Sequence, residues 1–134
     1  MSKGRRVLSK KVPDIGGLEK SALSQAQRVG DLIYVSGQVA YNNERRSVGG
    51  NSAYSQSRHV FGRIKALVEA AGAKMDDIIK VTMYTTDMRF QPDIWKARRE
   101  FFSGDFPCST LVEVTSLVRP EFLIEIEAIA YVGD

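Results

Sequence analysis

Side chains that bind metals or form cross-links are scarce in this sequence, which has one cysteine, Cys108, and one histidine, His59. One cysteine excludes an internal disulfide, and this pair of residues excludes the usual Cys/His zinc sites. The glycines form neither of the phosphate-binding patterns GxGxxG and GxxxxGKS/T, so no nucleotide cofactor is expected. The sequence therefore predicts a protein that needs no metal or cofactor and suits a reducing compartment.

Long apolar runs are also missing. No window approaches the roughly 20 residues of a membrane-spanning helix, and no apolar segment follows the basic first residues. The sequence thus predicts neither a membrane span nor a secretory signal. We expect a cytoplasmic protein with no membrane partner.

Excess charge is confined to the beginning of the chain. The net charge is +3, and five basic residues precede the first acidic one: Lys3, Arg5, Arg6, Lys10 and Lys11. No aromatic residues are interleaved with them, so the pattern favours a solvated tail and disfavours a nucleic-acid partner. We predict a basic, extended or flexible lead-in at residues 1–20 and a single domain at residues 21–134, a length typical of one domain.

Hydrophobic periodicity predicts an α+β domain with the order strand, strand, helix, strand, helix, strand, strand. The predicted strands span residues 24–27, 32–39, 78–86, 106–114 and 122–130. The first helix begins at Asn51 or Ser52 and ends before Gly72, and the second has Pro92 in its first turn and ends at Gly104. This order predicts two helices on one face of a mixed sheet.

The last strand has two unlike faces. One is wholly aliphatic and needs a covering layer of helices: Ile124, Ile126, Ala128 and Ala130. The other mixes carboxylates with aliphatic side chains: Leu123, Glu125, Glu127 and Ile129. We predict that a subunit partner covers this mixed face. The same alternation in strand 78–86 assigns Ile79, Val81 and Met83 to its apolar face.

Four kinds of residue are candidates for chemistry before any family is considered. The step Ser36-Gly37 inside a strand indicates a bulge or the close approach of a ligand. His59 lies mid-helix without a motif partner, which favours a helix-surface position over a catalytic base. For Cys108 a small, partly buried residue is favoured over a nucleophile. Glu113, Glu125 and Glu127 lie in strands, where a salt bridge, a wet face or a proton shuttle with a raised pKa are all open.

The sequence resembles the RidA (YjgF) family over roughly residues 20 to 131. The resemblance is carried by six segments in the family's order: 24–26 (SQA), 34–38 (YVSGQ), 65–72 (KALVEAAG), 77–82 (DIIKVT), 101–102 (FF) and 124–130 (IEIEAIA). It implies a chorismate-mutase-like α+β fold and a homotrimer with a small-molecule cleft between neighbouring subunits. It also implies hydrolysis of reactive imines or enamines to a 2-oxo acid and ammonia, without metal or cofactor.

Carried over position by position, the resemblance implies that Glu125 helps to position the attacking water. It likewise assigns substrate contacts to Ser36 and to the segment 108–111, which includes Cys108, Ser109 and Thr110. Four positions depart from the family pattern. Its carboxylate-binding arginine, early tyrosine, second-helix asparagine and cysteine fall at Ser109, Leu23, Trp95 and Leu111.

These departures predict a less cationic and more apolar pocket, because a bidentate arginine contact is lost. The leading hypothesis is a deaminase whose substrate differs from 2-aminoacrylate. The alternatives are a non-catalytic, small-molecule-binding or regulatory trimer and, more weakly, an RNA-directed protein. Arg119 is predicted to be a surface residue, able to replace the lost cation only across a subunit interface.

Overall fold

The computed structural model describes residues 4–13 and 22–133 of the 134-residue chain. Six strands are present: β1 (Arg5–Arg6), β2 (Ala26–Val29), β3 (Leu32–Gln38), β4 (Ile78–Thr85), β5 (Cys108–Glu113) and β6 (Ile124–Tyr131). The two α-helices are α1 (Ala53–Ala70) and α2 (Gln91–Phe101). One 3₁₀ turn, Met75–Asp77, lies between α1 and β4, and the other, Met88–Phe90, directly precedes α2. The predicted element order is confirmed, and β1 is added to it.

The strands form one mixed sheet in the order β1-β2-β3-β6-β4-β5. Only the pair β4–β5 is parallel, and the other neighbours are antiparallel. The predicted α+β fold, with two helices on one face of a mixed sheet, is confirmed. The last two strands share this sheet but are not neighbours, because β4 lies between them.

Helix α1 begins and ends where the sequence predicts, whereas α2 begins as predicted but ends at Phe101, before the predicted stop at Gly104. The Ser52 hydroxyl accepts a hydrogen bond from the Ser55 amide (3.0 Å) and caps α1. Beyond the last turn, Gly72 has φ = +92°, a conformation that favours glycine and ends the helix. In α2, Pro92 occupies the first turn, where its missing amide costs no helical hydrogen bond.

The core lies between the helices and one face of the sheet. The apolar stripe of α1 is fully buried, and it packs with the aliphatic face of β6: Val60, Ile64, Leu67, Val68, Ile124, Ile126, Ala128 and Ala130. The predicted division of β6 into two faces is therefore confirmed, since Leu123, Glu125, Glu127 and Ile129 are half-buried or exposed. One face of the sheet is covered, and the other is open in the single chain.

Two irregularities in strand pairing decide which side chains reach the open face. The β3–β6 register shifts between Val35 and Gln38, which confirms the bulge predicted at the Ser36-Gly37 step. A second shift, between Ile78 and Lys80 in the β4–β6 pair, was not predicted. It makes the prediction for Ile79 wrong: Ile78 is buried and Ile79 is 48% exposed, because the extra residue reverses the alternation there.

Part of the basic lead-in is in contact with the domain. Arg5 and Arg6 pair with β2, and Val7 and Val12 are buried in the core. Residues 14–20 lie outside the described residues, so the separation into a flexible lead-in and a domain stays a prediction. No helix in residues 4–13 or 22–133 is long and apolar enough to cross a membrane.

Candidate active site

The open face of the sheet brings together most of the predicted site. Its side chains form cross-strand rows, in which Tyr34, Ile129, Lys80 and Cys108 lie side by side. The next rows contain Glu127, Thr82 and Thr110, then Glu125, Tyr84 and Val112. Tyr34 and Val112 are 48% and 41% exposed. Polar, charged and apolar groups thus share a face that none of the described residues covers.

Glu125 lies against the bulge of β3, directly beside Gly37. A Cβ atom built on Gly37 would lie 2.6 Å from the Glu125 Oε2 atom, which is closer than real Cβ contacts come. Glycine is therefore required for the carboxylate to occupy this position. The close approach predicted from the Ser36-Gly37 step is made by a side chain of the chain itself.

The environment of Glu125 favours its protonated form. Burial raises the pKa of the Glu125 carboxyl, and the neighbouring Glu127 carboxylate raises the pKa further. Among the described residues, none donates a hydrogen bond to Glu125. A half-buried carboxyl with a raised pKa and free oxygens holds its proton to a higher pH than an ordinary glutamate, and it can take up and release that proton.

Glu127, two residues along the same face, is held differently. The Tyr84 hydroxyl donates a hydrogen bond to its Oε1 atom (2.9 Å), and this contact raises the pKa of the tyrosine. The Glu127 carboxylate in turn raises the pKa of Glu125. The two glutamates thus differ in their contacts, because Glu127 accepts a hydrogen bond from Tyr84 and Glu125 accepts none from the described residues.

A buried network fixes the bulge that carries Gly37. The Gln38 side-chain amide donates to the Gln25 Oε1 atom (2.8 Å) and to the Ser36 carbonyl (3.1 Å). The Gln38 Oε1 atom accepts a hydrogen bond from Arg63 Nε (3.0 Å). This network spans β3 and α1, so the position of Gly37 beside Glu125 depends on residues far from it in sequence.

Ser36 and Leu23 line a groove of about 400 Å³ at the edge of the open face, together with Tyr34 and Glu127. The Ser36 hydroxyl donates to the Ser24 carbonyl (2.5 Å), and the Ser36 amide donates to the Gln25 carbonyl (2.9 Å). Its oxygen retains the capacity to accept a hydrogen bond from a ligand. Glu127, rather than the predicted Glu125, contributes the carboxylate that lines this groove.

The other predicted contacts lie on β5 and point to both sides of the sheet. Cys108 and Thr110 are on the open face, and Lys80 Nζ donates to Thr110 Oγ1 (2.7 Å). The interpretation of Cys108 as partly buried is wrong, because β5 is an edge strand and leaves the thiol exposed. Ser109 pairs with the buried Val81, so its side chain lies on the helix side.

Sequence reasoning missed the cation nearest to Ser109. Arg98 Nη1, from α2, donates a hydrogen bond to Ser109 Oγ (2.7 Å), and the guanidinium lies 5.2 Å from the centre of the Trp95 ring. Burial lowers the pKa of Arg98, and the adjacent Arg99 lowers the pKa further. The available signal was the spacing of Trp95 and Arg98, since residues three apart share one helix face.

Arg119 is bound elsewhere, in agreement with its predicted surface position. Arg119 Nη1 donates to the Arg45 carbonyl (2.6 Å), and the guanidinium lies 5.4 Å from the centre of the Phe122 ring. These contacts tie the segment after β5 to the loop before α1. Arg98, rather than Arg119, therefore provides the guanidinium beside Ser109.

The two halves of the candidate site lie far apart within one chain. Leu23, Ser36 and Glu127 are at β2, β3 and β6, whereas Ser109 and Arg98 are at β5 and α2. Because β6 and β4 lie between β3 and β5, these two strands are roughly 14 Å apart at ordinary strand spacing. A small ligand cannot touch both halves of one chain.

Neither His59 nor a metal-binding cluster joins the glutamates as a candidate for catalysis among the described residues. His59 belongs to the helix layer, and its Nε2 atom is 2.8 Å from the Tyr41 carbonyl oxygen. No group of three or more His, Cys, Asp or Glu side chains that could hold a metal occurs within residues 4–13 and 22–133. The described side chains at the site offer carboxylates, hydroxyls, a guanidinium, the Lys80 amine and the Cys108 thiol.

Comparison with known proteins identifies the wider group. The family model described as Endoribonuclease L-PSP matches residues 19–132. A RutC family protein of Pyrococcus abyssi is 37% identical over 108 residues, which cover 81% of this chain and 84% of that protein. A 2-iminobutanoate/2-iminopropanoate deaminase of Dermatophagoides farinae is 34% identical over 109 residues, covering 81% and 84%.

A solved structure is similar over nearly the whole chain. The crystal structure of RidA from the Antarctic bacterium Psychrobacter sp. PAMC 21119 superposes with a TM-score of 0.85 at 29% sequence identity. The match covers 96% of this chain and 99% of that one. The sheet order and the one-sided helix layer are thus those of a known family.

Proposed function

Because this chain belongs to the Endoribonuclease L-PSP (RidA/YjgF) family, we propose that it hydrolyses a reactive imine or enamine to a carbonyl compound and ammonia. The observation that carries the proposal is Glu125, a half-buried carboxyl with a raised pKa, held against Gly37 with no donor among the described residues. A proton carrier of this kind is what the hydrolysis of a C=N bond needs near neutral pH.

The reaction balances with groups of this chain and one water molecule. For an imine, Glu125 accepts a proton from water as the oxygen attacks the C=N carbon, and the nitrogen receives the proton. As the aminoalcohol collapses, its hydroxyl proton passes to the nitrogen by way of Glu125, the C–N bond breaks, the C=O bond forms and ammonia leaves. An enamine first takes a proton on its carbon and gives up a proton from its nitrogen, which makes it the imine. The Glu127 carboxylate raises the pKa of Glu125 and so favours the protonated form that donates a proton.

We place the reaction in a cleft between two copies of the chain. The open sheet face exposes Tyr34 and Val112, and β5 is an edge strand with unpaired backbone groups on its outer side. We place the β5 edge of a second copy against this face, so that its Ser109 and Arg98, which flank that edge on the helix side, lie at the Glu125 half of the first. The family resemblance favours three such copies. Equilibrium sedimentation tests this: a monomer at assay concentration contradicts the shared cleft.

In this cleft Arg98 would bind the substrate carboxylate. It already donates to Ser109, at the position where the family carries its arginine, and Trp95 holds its guanidinium. The cation therefore comes from the helix instead of the strand. With Leu23 and Trp95 as apolar walls, the proposed substrate is a 2-imino acid whose side chain is apolar and larger than methyl.

The decisive variant for catalysis is Glu125→Gln, which keeps the shape and removes the titratable group. Imines are generated in the assay from a panel of amino acids by an oxidase, and the release of ammonia is followed. We expect the acceleration over the spontaneous rate to fall by about 10²-fold or more. The matched control, Glu69→Gln on the exposed side of α1, should hydrolyse at the parent rate. Equal rates for Glu125→Gln and the parent protein would show the proposed role to be wrong.

Arg98→Ala tests the substrate carboxylate contact. Loss of the guanidinium should raise KM by about 10-fold or more with a smaller change in kcat, because binding rather than proton transfer is affected. Arg98→Lys should recover part of the affinity but not the planar two-point contact. The control is Arg99→Ala, which removes the adjacent exposed cation. If both alanine variants raise KM equally, Arg98 has no specific role.

The main alternative is a non-catalytic protein that binds or senses a metabolite. Two observations favour it: the arginine position is Ser109, and the Ser36 hydroxyl already donates to a backbone carbonyl. A saturable rise in Tm with a 2-oxo acid, together with no acceleration of imine hydrolysis, would support this alternative. RNA cleavage has less support, since His59, the single histidine of the chain, lies on the covered side of the sheet.

A further inference from the structure

A basic groove lies on the outer side of the helix layer, away from the open sheet face. Its volume is about 390 Å³, and it is bounded by α1, the loop after β3 and the lead-in segment. Four of its lining residues carry basic side chains: Lys11, Arg58, His59 and Arg63. None of the described lining residues is acidic. The groove therefore has an electrostatic preference for anions.

Arg63 is the unusual member of this set because its charge is buried. Its side chain is 5% exposed, and no carboxylate of the described residues lies within salt-bridge distance of it. Its Nε and Nη1 atoms donate to Gln38 and to the Tyr41 carbonyl, and its guanidinium stacks 4.1 Å from the centre of the Tyr41 ring. Its Nη2 atom has no hydrogen-bond partner among the described residues.

A buried cation without a counter-charge is costly, so proteins pair such groups or bind an anion beside them. Burial lowers the pKa of Arg63 but does not neutralise a guanidinium near neutral pH. The carbonyl and the tyrosine ring offset part of this cost. The guanidinium still places a positive charge at the wall of the groove, and none of the described lining residues carries a negative charge.

The other basic groups are available at the rim. Arg58 is half-exposed, and its Nε atom forms a salt bridge with the Oε1 atom of Glu100 (3.0 Å). Glu100 lies outside the groove lining. Lys11 is exposed. The His59 ring is bound to the Tyr41 carbonyl oxygen through its Nε2 atom, so the cations at the rim are Lys11 and Arg58. These groups can reach an anion that the buried charge of Arg63 attracts.

Gly62 keeps the groove open. It lies in the interior of α1, where glycine costs about 0.5–1 kcal/mol relative to alanine. A Cβ atom at this position would have no heavy atom within 4 Å, so packing in the protein does not require glycine there. A side chain at position 62 would instead project into space beside Arg58 and His59.

We propose that this groove binds the phosphate group of a small phosphate monoester. A dianion matches several converging cations better than a monocarboxylate does, and the volume is in the range of small-ligand sites. The proposed phosphate site is separate from the proposed deaminase site, since the sheet lies between the groove and Glu125. Arg63 is the one link, because it donates to Gln38 in the network that fixes the bulge beside Glu125. The groove would add a second ligand site to the protein.

The test is thermal unfolding of the full chain with glycerol phosphate, against sodium chloride at equal ionic strength. We expect a saturable rise in Tm of about 3–8 °C that chloride does not give. Arg63→Met should abolish the response. Lys65→Met removes an exposed cation of the same helix and should leave the response intact. No saturable rise with the parent protein, or an unchanged response in Arg63→Met, would overturn the proposal.

Gly62→Glu provides a second variant that does not disturb the buried network. It places a carboxylate in the open space of the groove, so the response to glycerol phosphate should be lost while imine hydrolysis is unchanged. Retention of the phosphate response would count against the groove as the site. The rival occupant is a carboxylate of the chain itself, Asp14 or Glu19, both outside the described residues. If Asp14→Asn with Glu19→Gln creates a phosphate response that the parent lacks, the groove is self-occupied and the proposal fails.

Discussion

The two faces of β6 belong to one strand of alternating residues, yet they differ in burial. Toward the helices, Ile124 and Ile126 are completely buried, whereas on the opposite side Glu127 is exposed and Glu125 is half-buried. The covered face contributes to the free energy of folding through apolar burial. The open face keeps ionisable groups in an environment that alters their pKa. Stability and chemistry are thus divided between alternate residues of one strand.

The sharpest test of this division is Ile126→Ala against Ile129→Ala. Ile126 is 0% exposed, so its truncation should lower the free energy of unfolding by about 2–5 kcal/mol. Ile129, on the open face, should cost about 1 kcal/mol or less in the monomer, with its main effect on self-association. Urea unfolding and sedimentation measure the two effects. Equal losses of unfolding free energy would show that the faces are not energetically distinct.

The second test removes the space that Gly37 leaves for the open face. Gly37→Ala places a Cβ atom against the Glu125 carboxylate, the mobile end of a side chain, so the carboxylate should move and the fold should survive. We expect imine hydrolysis to fall by at least roughly 10-fold, because the proton carrier is displaced. Circular dichroism should be unchanged.

A double-variant cycle provides the control for this prediction. Any folding cost of Gly37→Ala should be smaller in a Glu125→Ala background, where the opposing side chain is absent. If the cost is the same in both backgrounds, the contact between Gly37 and Glu125 does not limit this position.

The third test uses pH to separate the two faces. The pKa of Glu125 is raised in the folded protein by burial and by Glu127, so folding favours the neutral carboxyl. This contribution is complete below the ordinary value of 4.5 and is lost as the pH rises through the higher folded value. Glu125→Gln cannot ionise and should therefore gain stability relative to the parent protein as the pH rises through this window.

Urea unfolding at a series of pH values measures the difference. Glu127→Gln removes one of the two causes and should narrow the pH window over which the parent loses stability. A difference between Glu125→Gln and the parent that stays constant with pH would contradict the raised pKa.

The smallest expected effect concerns the bulge in β4. Because Ile79 is 48% exposed, Ile79→Thr should change the free energy of unfolding by no more than about 0.5 kcal/mol. The adjacent Ile78→Thr, in the core, should cost several times more. If the two variants lose similar amounts of unfolding free energy, Ile79 is as buried as Ile78 and the bulge is contradicted.

Much of the fold could be predicted from local patterns. The cap at Ser52, the stop at Gly72 and the stripe of α1 depend on residues within a few positions of one another, and so does the division of β6 into two faces. Ile79 was missed because a bulge depends on pairing with a distant strand. Arg98 was missed for a similar reason, since its contact with Ser109 joins a helix to an edge strand.

The sequence by itself determined the element order, the apolar faces and the family, because periodicity, caps and matching segments are all read along the chain. Only the tertiary structure decided that Gly37 makes room for Glu125, that Tyr84 holds Glu127 and that Arg98 lies beside Ser109. Each of these contacts joins residues 11 to 88 positions apart in the printed numbering. The physical reason is that the pKa of a carboxyl and the reach of a guanidinium depend on what lies next to them in space, which strand pairing and helix packing alone determine.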